Sequence, residues 1–158
     1  MTLSAIPNDG YAVYAWYKFS SEVKTLANDY DNLLNGEIIN DTQIIVDMDH
    51  YNVYYVALFK KTYTLELKAT TGIASVSKTP EKEFYFYNEQ VQIDANPPSG
   101  LTEDFDKWTT ASTSQVPSGF VETQKRQTIT IQGNYSLVAT SAFNYVVNYH
   151  IMTENTDG

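Results

Sequence analysis

Two stretches of this chain, LSAIPNDGYAVYAW (residues 3–16) and IDANPPSGLTEDFDKW (residues 93–108), follow the same plan. Each begins with alternating apolar residues, continues with a proline three residues before a glycine, and ends on a tryptophan. Each is followed by a second shared block, QIIVDMDHYNVYYVALF (residues 43–59) and TITIQGNYSLVATSAF (residues 128–143). Self-similarity at a period of roughly 85 to 90 residues indicates a tandem repeat rather than one enzyme fold.

The repeat predicts two small modules and the start of a third, at residues 1–61, 62–144 and 145–158. The segment YHIMTENTDG (residues 149–158) aligns with YTLELKATTG (residues 63–72), where the second module opens with an alternating strand. The last segment is therefore expected to be the opening strand of a further module, whereas the first module begins without one.

This arrangement leaves two interpretations open. In one, the chain is a segment of a longer array. In the other, the trailing strand of one molecule completes the leading module of the next by lying beside residues 3–6, because an added strand satisfies an open sheet edge. The candidate interaction residues on that strand are Tyr145, Val147, Tyr149 and Ile151.

Alternating apolar residues and turn residues predict strands through most of the chain, and the many Tyr and Thr residues suit half-buried sheet surfaces. One segment differs. Apolar residues from Val23 to Leu34 recur at helical spacing after the capping residues Ser20 and Ser21, which predicts one helix at about residues 21–35. The predicted fold class is therefore α+β and β-rich, with this helix lying on a sheet of the first module.

Tryptophan is the largest side chain of each predicted module. A module of about 75 residues has little core to spare, so Trp16 and Trp108 are predicted to be buried core anchors. The competing interpretation is an exposed indole that stacks on a sugar ring. Matched proline and glycine residues mark the turns before them and complete the set of predicted structural anchors. These residues are Pro7, Gly10, Pro97 and Gly100.

Composition argues against several classes of partner. The formal net charge is −9, and the ten Lys and Arg residues form no basic cluster of the kind that neutralises phosphates, so no nucleic-acid partner is expected. No apolar segment approaches the ~20 residues needed to cross a bilayer, so no membrane insertion is expected. The chain has no cysteine, which excludes disulfides and thiolate-bound zinc.

The polar side chains form no pattern typical of a catalytic or metal site. The two histidines, His50 and His150, have no nucleophile motif nearby, and a catalytic triad needs three converging groups. The acidic residues around Asp49 and Asp104 lack the spacing of a calcium loop. We therefore expect no catalytic residue, no metal and no cofactor, and the protein is not predicted to be an enzyme.

The aromatic run FYFY (residues 84–87) has two interpretations. It is either an exposed patch for a partner, or part of a strand whose alternation turns two rings inward and two outward. The second interpretation is favoured.

The order of apolar strand, P-x-x-G turn, aromatic residue, tryptophan, insertion and closing strands resembles the internalin B-type repeat of bacterial surface proteins, also called the Listeria–Bacteroides repeat. In the first unit the resemblance is carried by Pro7, Gly10, residues 16–18, residues 44–46 and residues 53–59. In the second unit it is carried by residues 63–67, Gly72, Glu89, residues 91–95, Pro97, Gly100, residues 105–108, residues 128–131 and residues 137–143. The resemblance implies small β-grasp-like modules strung in arrays on secreted or wall-attached bacterial proteins.

Three functions are consistent with the sequence. The first is a non-catalytic stalk, spacer or adhesion segment of a bacterial cell-surface or secreted protein, which predicts a monomer whose partners are neighbouring repeats, or a host or wall glycan or protein. The alternative is a self-assembling appendage or phage virion protein that exchanges its C-terminal strand between sister copies. The second alternative is a carbohydrate-binding module that uses the tryptophans or tyrosine faces.

Overall fold

The computed structural model describes residues 1–19, 36–46, 53–96, 104–111 and 115–142. Within these residues 61% of positions lie in twelve strands. The first six strands are β1 (Thr2–Ser4), β2 (Tyr11–Phe19), β3 (Glu37–Ile39), β4 (Gln43–Ile45), β5 (Tyr54–Tyr63) and β6 (Leu65–Ala69). The remaining strands are β7 (Ser75–Thr79), β8 (Tyr85–Phe86), β9 (Gln90–Asn96), β10 (Asp104–Thr110), β11 (Arg126–Thr130) and β12 (Tyr135–Ala142).

The predicted α+β fold class, with β-grasp-like modules, is wrong. The described residues are all-β and contain no helix, and their strands form several small sheets. The predicted helix at about residues 21–35 lies outside the described residues. The proline, glycine and tryptophan positions behind the β-grasp prediction mark turns and core strands in many β folds, so they do not specify a sheet packed on a helix.

The chain divides into two compact units. Unit 1 consists of Met1–Thr64, Lys82–Glu89 and Ile131–Gly133, and unit 2 consists of Leu65–Glu81, Gln90–Thr130 and Asn134–Gly158. Each unit therefore draws on more than one stretch of sequence.

Unit 1 contains a four-stranded sheet in the order β3-β2-β5-β8 and a two-stranded sheet of β1 and β4. Strand β2 is apolar on both faces. On one face, Trp16 packs with Ile44 and with Leu3, which belong to the two-stranded sheet. On the other face, Ala15 and Tyr17 form a second small cluster with neighbouring side chains of β2 and β5. Burial of both faces explains why β2 reads as a nearly continuous apolar and aromatic run.

Unit 2 contains two three-stranded sheets, in the orders β10-β12-β6 and β11-β9-β7. Strands β12 and β6 run parallel, and the other neighbouring pairs are antiparallel. The side chains that point inward alternate along β9, β11 and β12, as expected for strands with one buried face. The large side chains of this unit that are fully buried are Trp108, Ile93, Ile129, Leu137 and Val91.

In the part of the chain that the structure describes, there is no helix with the length and apolar character required to span a membrane.

Candidate functional site: matched anchors and unequal strand edges

Trp16 is held at both ends in unit 1. Its backbone pairs with Ala57 on the neighbouring strand β5, and its indole N–H donates to the carbonyl of Thr42 at 3.4 Å. Its ring is 6% exposed and packs beside Ile44 and Val46. The ring therefore fills the core of the unit while its one polar atom is hydrogen-bonded.

Trp108 has the same environment in unit 2. Its backbone pairs with Ala139 on β12, and its indole N–H lies 3.2 Å from the carbonyl of Gln124 and 3.4 Å from that of Lys125. The side chain is fully buried. Neither indole is available to stack on a sugar, so a carbohydrate site built on the tryptophans does not fit the structure.

A β-bulge stands two residues before each tryptophan. The register of β2 against β5 shifts between Val13 and Ala15, and the register of β10 against β12 shifts between Phe105 and Lys107. A bulge inserts one extra residue and reverses the facing of the strand beyond it. Residues three positions apart then share a face: Val13 joins the Trp16 cluster, and the Phe105 and Trp108 ring centroids are 5.9 Å apart.

A second strand pair has a counterpart in each unit. In unit 1, Leu3 of β1 pairs with Ile44 of β4, and in unit 2, Ile93 of β9 pairs with Gln127 of β11. The match of Phe59 with Phe143 aligns Gln43 with Gln127, whereas the pairings equate Gln43 with Arg126. The difference is one residue, which changes the inward-facing set because side chains alternate with a period of two, so the pairings decide the correspondence.

The outer edges of the two units differ. In unit 2, β12 lies between β10 and the parallel strand β6, and β9 lies between β11 and β7. Among the described residues of unit 1, β5 pairs with β2 on one edge and with β8 only at Thr62 and Tyr63 on the other. We call the remaining stretch of that second edge, residues 54–61, the open edge of β5. Strand β1 likewise pairs only with β4 among the described residues.

Strand β6, which covers one edge of β12 in unit 2, is fixed at both ends. Leu65 at its start is buried, and beyond its end the backbone N–H of Thr70 donates to the carbonyl of Ala139 at 3.0 Å. The Thr70 hydroxyl lies 3.2 Å from the same oxygen. Ala139 is the residue paired with Trp108, so this threonine closes the strand beside the core anchor.

The predicted turn residues fall partly within the described structure. Pro7 precedes a turn in which the Tyr11 N–H donates to the Asn8 carbonyl at 3.0 Å. Gly10 has φ of +77°, which other residues rarely adopt, and its carbonyl accepts a 2.8 Å hydrogen bond from Thr62 N–H. Pro97 and Gly100 lie outside the described residues, as do all four predicted interaction residues, Tyr145, Val147, Tyr149 and Ile151.

The histidines and most of the acidic clusters are also outside the described residues. This applies to His50, His150 and Asp49, whereas Asp106 is the bulge residue of β10 and Asp104 begins that strand. No three acidic or histidine side chains converge in residues 1–19, 36–46, 53–96, 104–111 and 115–142.

An aromatic group lies at the surface of unit 1. Tyr85 is fully buried, but Tyr87 is 56% exposed, because strand β8 ends at Phe86 and Asn88 turns the chain with a φ of 66°. The predicted alternation therefore does not extend through the whole run. The Phe86 ring meets Tyr14, a bulge residue, edge-on at 5.2 Å.

A surface pocket of about 260 Å³ lies in the same unit. Its lining includes Tyr11 and Phe59, whose rings are 48% and 38% exposed, together with the turn residues Ile6, Pro7 and Asn8. The composition gave no signal for this pocket, because it is formed by bringing β2, β5 and the preceding turn together.

Sequence reasoning also missed an ion pair in unit 2. Asp94 is 8% exposed, and its Oδ2 accepts the Arg126 Nε–H at 2.7 Å. No donor among the described residues reaches its Oδ1. The pairing places Ser4 opposite Gln43 at the corresponding position of unit 1. No signal in the sequence pointed to this pair, because Asp94 lies between the inward-facing Ile93 and Ala95, at a position where strand alternation predicts exposure.

Comparison with known proteins found no matching family model, curated protein or solved structure.

Proposed function

We propose that this chain is a non-catalytic structural component of an array, acting as a stalk or spacer of a bacterial cell-surface or secreted protein. The observation that carries the proposal is the shared anchor of the two units. In each unit a bulge, a buried tryptophan, a carbonyl that accepts the indole N–H and a cross-strand alanine occupy corresponding positions.

The side chains that recur between the units all serve packing. Trp16 and Trp108 fill the cores, Ala57 and Ala139 give the rings room on the neighbouring strand, and the bulges set the faces. A scaffold repeated for its architecture is what modular stalks need, since each unit adds length and buries its own core.

Mechanical resistance tests this proposal. The full chain is placed between two copies of a helical reference domain and stretched in a single-molecule force experiment. A stalk made of β-ladders is expected to unfold at a higher force than the helical domain, because several hydrogen bonds of a ladder must break together. Extension of the chain before the helical domains would contradict a load-bearing role.

The alternative, a self-assembling appendage or phage virion protein, is supported by the unequal edges. Unpaired backbone groups along a strand are a ready template for another chain. Among the described residues, strand β1 and the open edge of β5 in unit 1 lack the second neighbours that β12 and β9 have. Assembly through these edges is compatible with a structural array, and it adds a specific partner.

A carbohydrate-binding role is a second candidate, at the pocket beside Tyr11. Two exposed rings and the Asn8 amide there combine a stacking surface with a polar group, as sugar sites require. Tyr11→Ala is expected to remove any glycan that the unmodified chain retains on an array, with Tyr87→Ala as a matched control at an exposed tyrosine outside the pocket. Glycan binding that survives Tyr11→Ala would exclude this pocket.

A further inference from the structure

We propose that residues 151–155 of one copy pair in parallel with residues 53–57 of a second copy, which run into the open edge of β5, so that copies join head to tail. This inference rests on the self-assembling alternative proposed above and names its partner. The occupant is a defined segment of this same chain, and its register is specified by unit 2.

The template for the pairing is β6 on β12. There, Ser136 pairs with Glu66 and Ala139 pairs with Ala69 in a parallel ladder. Strand β5 corresponds to β12, because Ala57 and Ala139 are each the partner of the tryptophan on the neighbouring strand. The open edge of β5 therefore corresponds to the edge of β12 that β6 covers.

The tail has the sequence that this position requires. Aligning YHIMTENTDG with YTLELKATTG places Ile151 at the position of Leu65, whose side chain is buried in unit 2. It also places Thr156 at the position of Thr70, the residue that donates twice to the Ala139 carbonyl. The tail therefore keeps an apolar residue at the inward-facing position and a threonine at the position that ends the strand.

The expected register follows residue by residue. Met152 of one copy lies opposite Tyr54 of the next, and Asn155 lies opposite Ala57, by the β6–β12 pairs. The N–H and hydroxyl of Thr156 then donate to the Ala57 carbonyl.

Chain order favours a second copy as the donor. Strand β6 precedes the other strands of unit 2 in the sequence, whereas the tail follows β12 and resembles β6 in sequence. In a head-to-tail series, the tail of one copy precedes unit 1 of the next, so the order of strands found in unit 2 is kept. Such a heterologous contact joins different surfaces of the two copies, so it can repeat from copy to copy.

The structure moves the predicted docking position. The sequence comparison predicts the trailing strand beside residues 3–6, which include Leu3 and Ser4 of β1. Strand β1 corresponds to β9, whose outer neighbour is β7, and the tail aligns with β6 instead. The edge that fits the tail is therefore on β5.

Disulfide trapping tests the register, because the chain has no cysteine of its own. Tyr54→Cys and Met152→Cys are made in separate full-length chains and mixed under mild oxidation. A disulfide needs Cα atoms about 4.4–6.8 Å apart, so the mixture is expected to form a covalent heterodimer. The control mixture of Tyr54→Cys with Thr156→Cys, four residues out of register, is expected to remain unlinked. Equal linking in both mixtures, or none in the first, would overturn the proposal.

The mass in solution tests whether copies join. Sedimentation equilibrium of the full chain is expected to show a mass that rises with concentration. Ile151→Asp places a charge at the inward position and is expected to weaken association at least about tenfold, a change of about 1.4 kcal/mol. Glu154→Gln, at the position of the exposed Lys68, is the matched control and should associate as the unmodified chain does.

These outcomes distinguish failure of the proposed strand pairing from failure of the proposed spacer function. A chain that is monomeric at every concentration, yet outlasts the helical reference domain under force, overturns strand pairing and leaves the spacer function standing. Association that Ile151→Asp does not change overturns the tail as the occupant. To check that the tail variants are folded, near-ultraviolet circular dichroism of each is compared with that of the unmodified chain.

Discussion

Each indole in this protein has two roles: its ring fills the core, and its N–H donates a hydrogen bond to a main-chain carbonyl. The arrangement ties the strand before the insertion to the segment after it: Trp16 reaches Thr42, and Trp108 reaches Gln124 and Lys125. Loss of the ring therefore costs packing and also a link between distant parts of the unit.

Trp108→Ala is expected to destabilise unit 2 by about 3–5 kcal/mol, because a fully buried ring is replaced by a cavity. Trp108→Phe keeps most of the ring and loses the N–H donor, so a smaller loss of about 1–3 kcal/mol is expected. Urea unfolding monitored by circular dichroism measures both. Equal losses in the two variants would mean that the hydrogen bonds contribute more than the packing.

The Asp94–Arg126 pair gives a prediction that uses the residues at the corresponding positions of unit 1. Arg126→Gln leaves a buried carboxylate without its cation and is expected to cost about 2–4 kcal/mol of stability. The double variant Asp94→Ser with Arg126→Gln installs the Ser4–Gln43 pair of unit 1 and should recover most of that loss. Thermal unfolding of the two single variants and the double variant tests the coupling, and additive losses would contradict it.

Glu66 gives a pH-dependent prediction. The hydrogen bond from the Ser136 hydroxyl, followed by the hydrogen bond and charge of Lys68, lowers the pKa of Glu66 below its usual value. A lowered folded-state pKa gives stability that is present above the unfolded pKa and is lost as the pH falls through the folded pKa. Ser136→Ala should raise this pKa toward its usual value, as an NMR titration of the Glu66 side chain would detect; an unchanged titration would contradict it.

At the scale of strands, the bulges decide which residues of each ladder face inward. The bulge at Asp106 allows Phe105 and Trp108, three residues apart, to lie on the same face. The bulge at Tyr14 does the same for Val13 and Trp16. Each bulge therefore lets the residue before it face the same core as the tryptophan after it.

Deleting Asp106 is expected to destabilise unit 2 by about 2 kcal/mol or more, because it removes the bulge and turns Phe105 to the opposite face. Asp106→Ala keeps the bulge and should change stability by no more than about 0.5 kcal/mol. Thermal denaturation of the two variants is the measurement. A deletion as mild as the substitution would show that the ladder tolerates either facing.

Alternation and turn residues were sufficient to locate most strands, because period-two burial is a local property of the sequence. The stretch from Tyr135 to Ala142 is an example, with buried and partly buried residues in strict alternation up to Ala139. Strand partners were not predictable in the same way. The parallel pairing of β12 with β6 joins residues separated by about seventy positions, and no local pattern specifies it. The predicted fold class was wrong because the resemblance was carried by turn and core residues that different β folds share.

The candidate site could likewise be predicted from the sequence only in part. The tryptophans and the similarity of the tail to residues 63–72 were visible in the sequence, since both are matters of residue identity. The open edge of β5 and the Thr70 closure were not, because an edge is defined by which strand is next to it. The Asp94–Arg126 pair and the pocket beside Tyr11 likewise depend on distant residues meeting.

At the scale of the whole molecule, the two units interleave along the sequence. Unit 1 includes Lys82–Glu89 and Ile131–Gly133 in addition to its N-terminal stretch, and the Asn88 N–H donates to the Ile131 carbonyl at 2.7 Å. The shared anchors describe how each unit is built, whereas this interleaving describes how the chain is divided between them.

A fragment of residues 1–64 is therefore expected to unfold at a temperature well below that of unit 1 in the full chain, because it lacks two later segments of that unit. Tyr85 and Ile131, both fully buried in the full chain, are absent from it. Circular dichroism melting of the fragment beside the full-length protein measures the difference, and equal melting temperatures would show that the later segments are dispensable.

The position of Ile131–Gly133 in unit 1 has a consequence for synthesis on the ribosome. Translation is vectorial, and domains usually fold in the order in which they emerge. Here unit 1 waits for residues 131–133, which are made after most of unit 2, so its first strands leave the exit tunnel long before their last partners. During that interval a nascent chain exposes unfinished sheet edges, and a chaperone or a neighbouring nascent copy would meet them first.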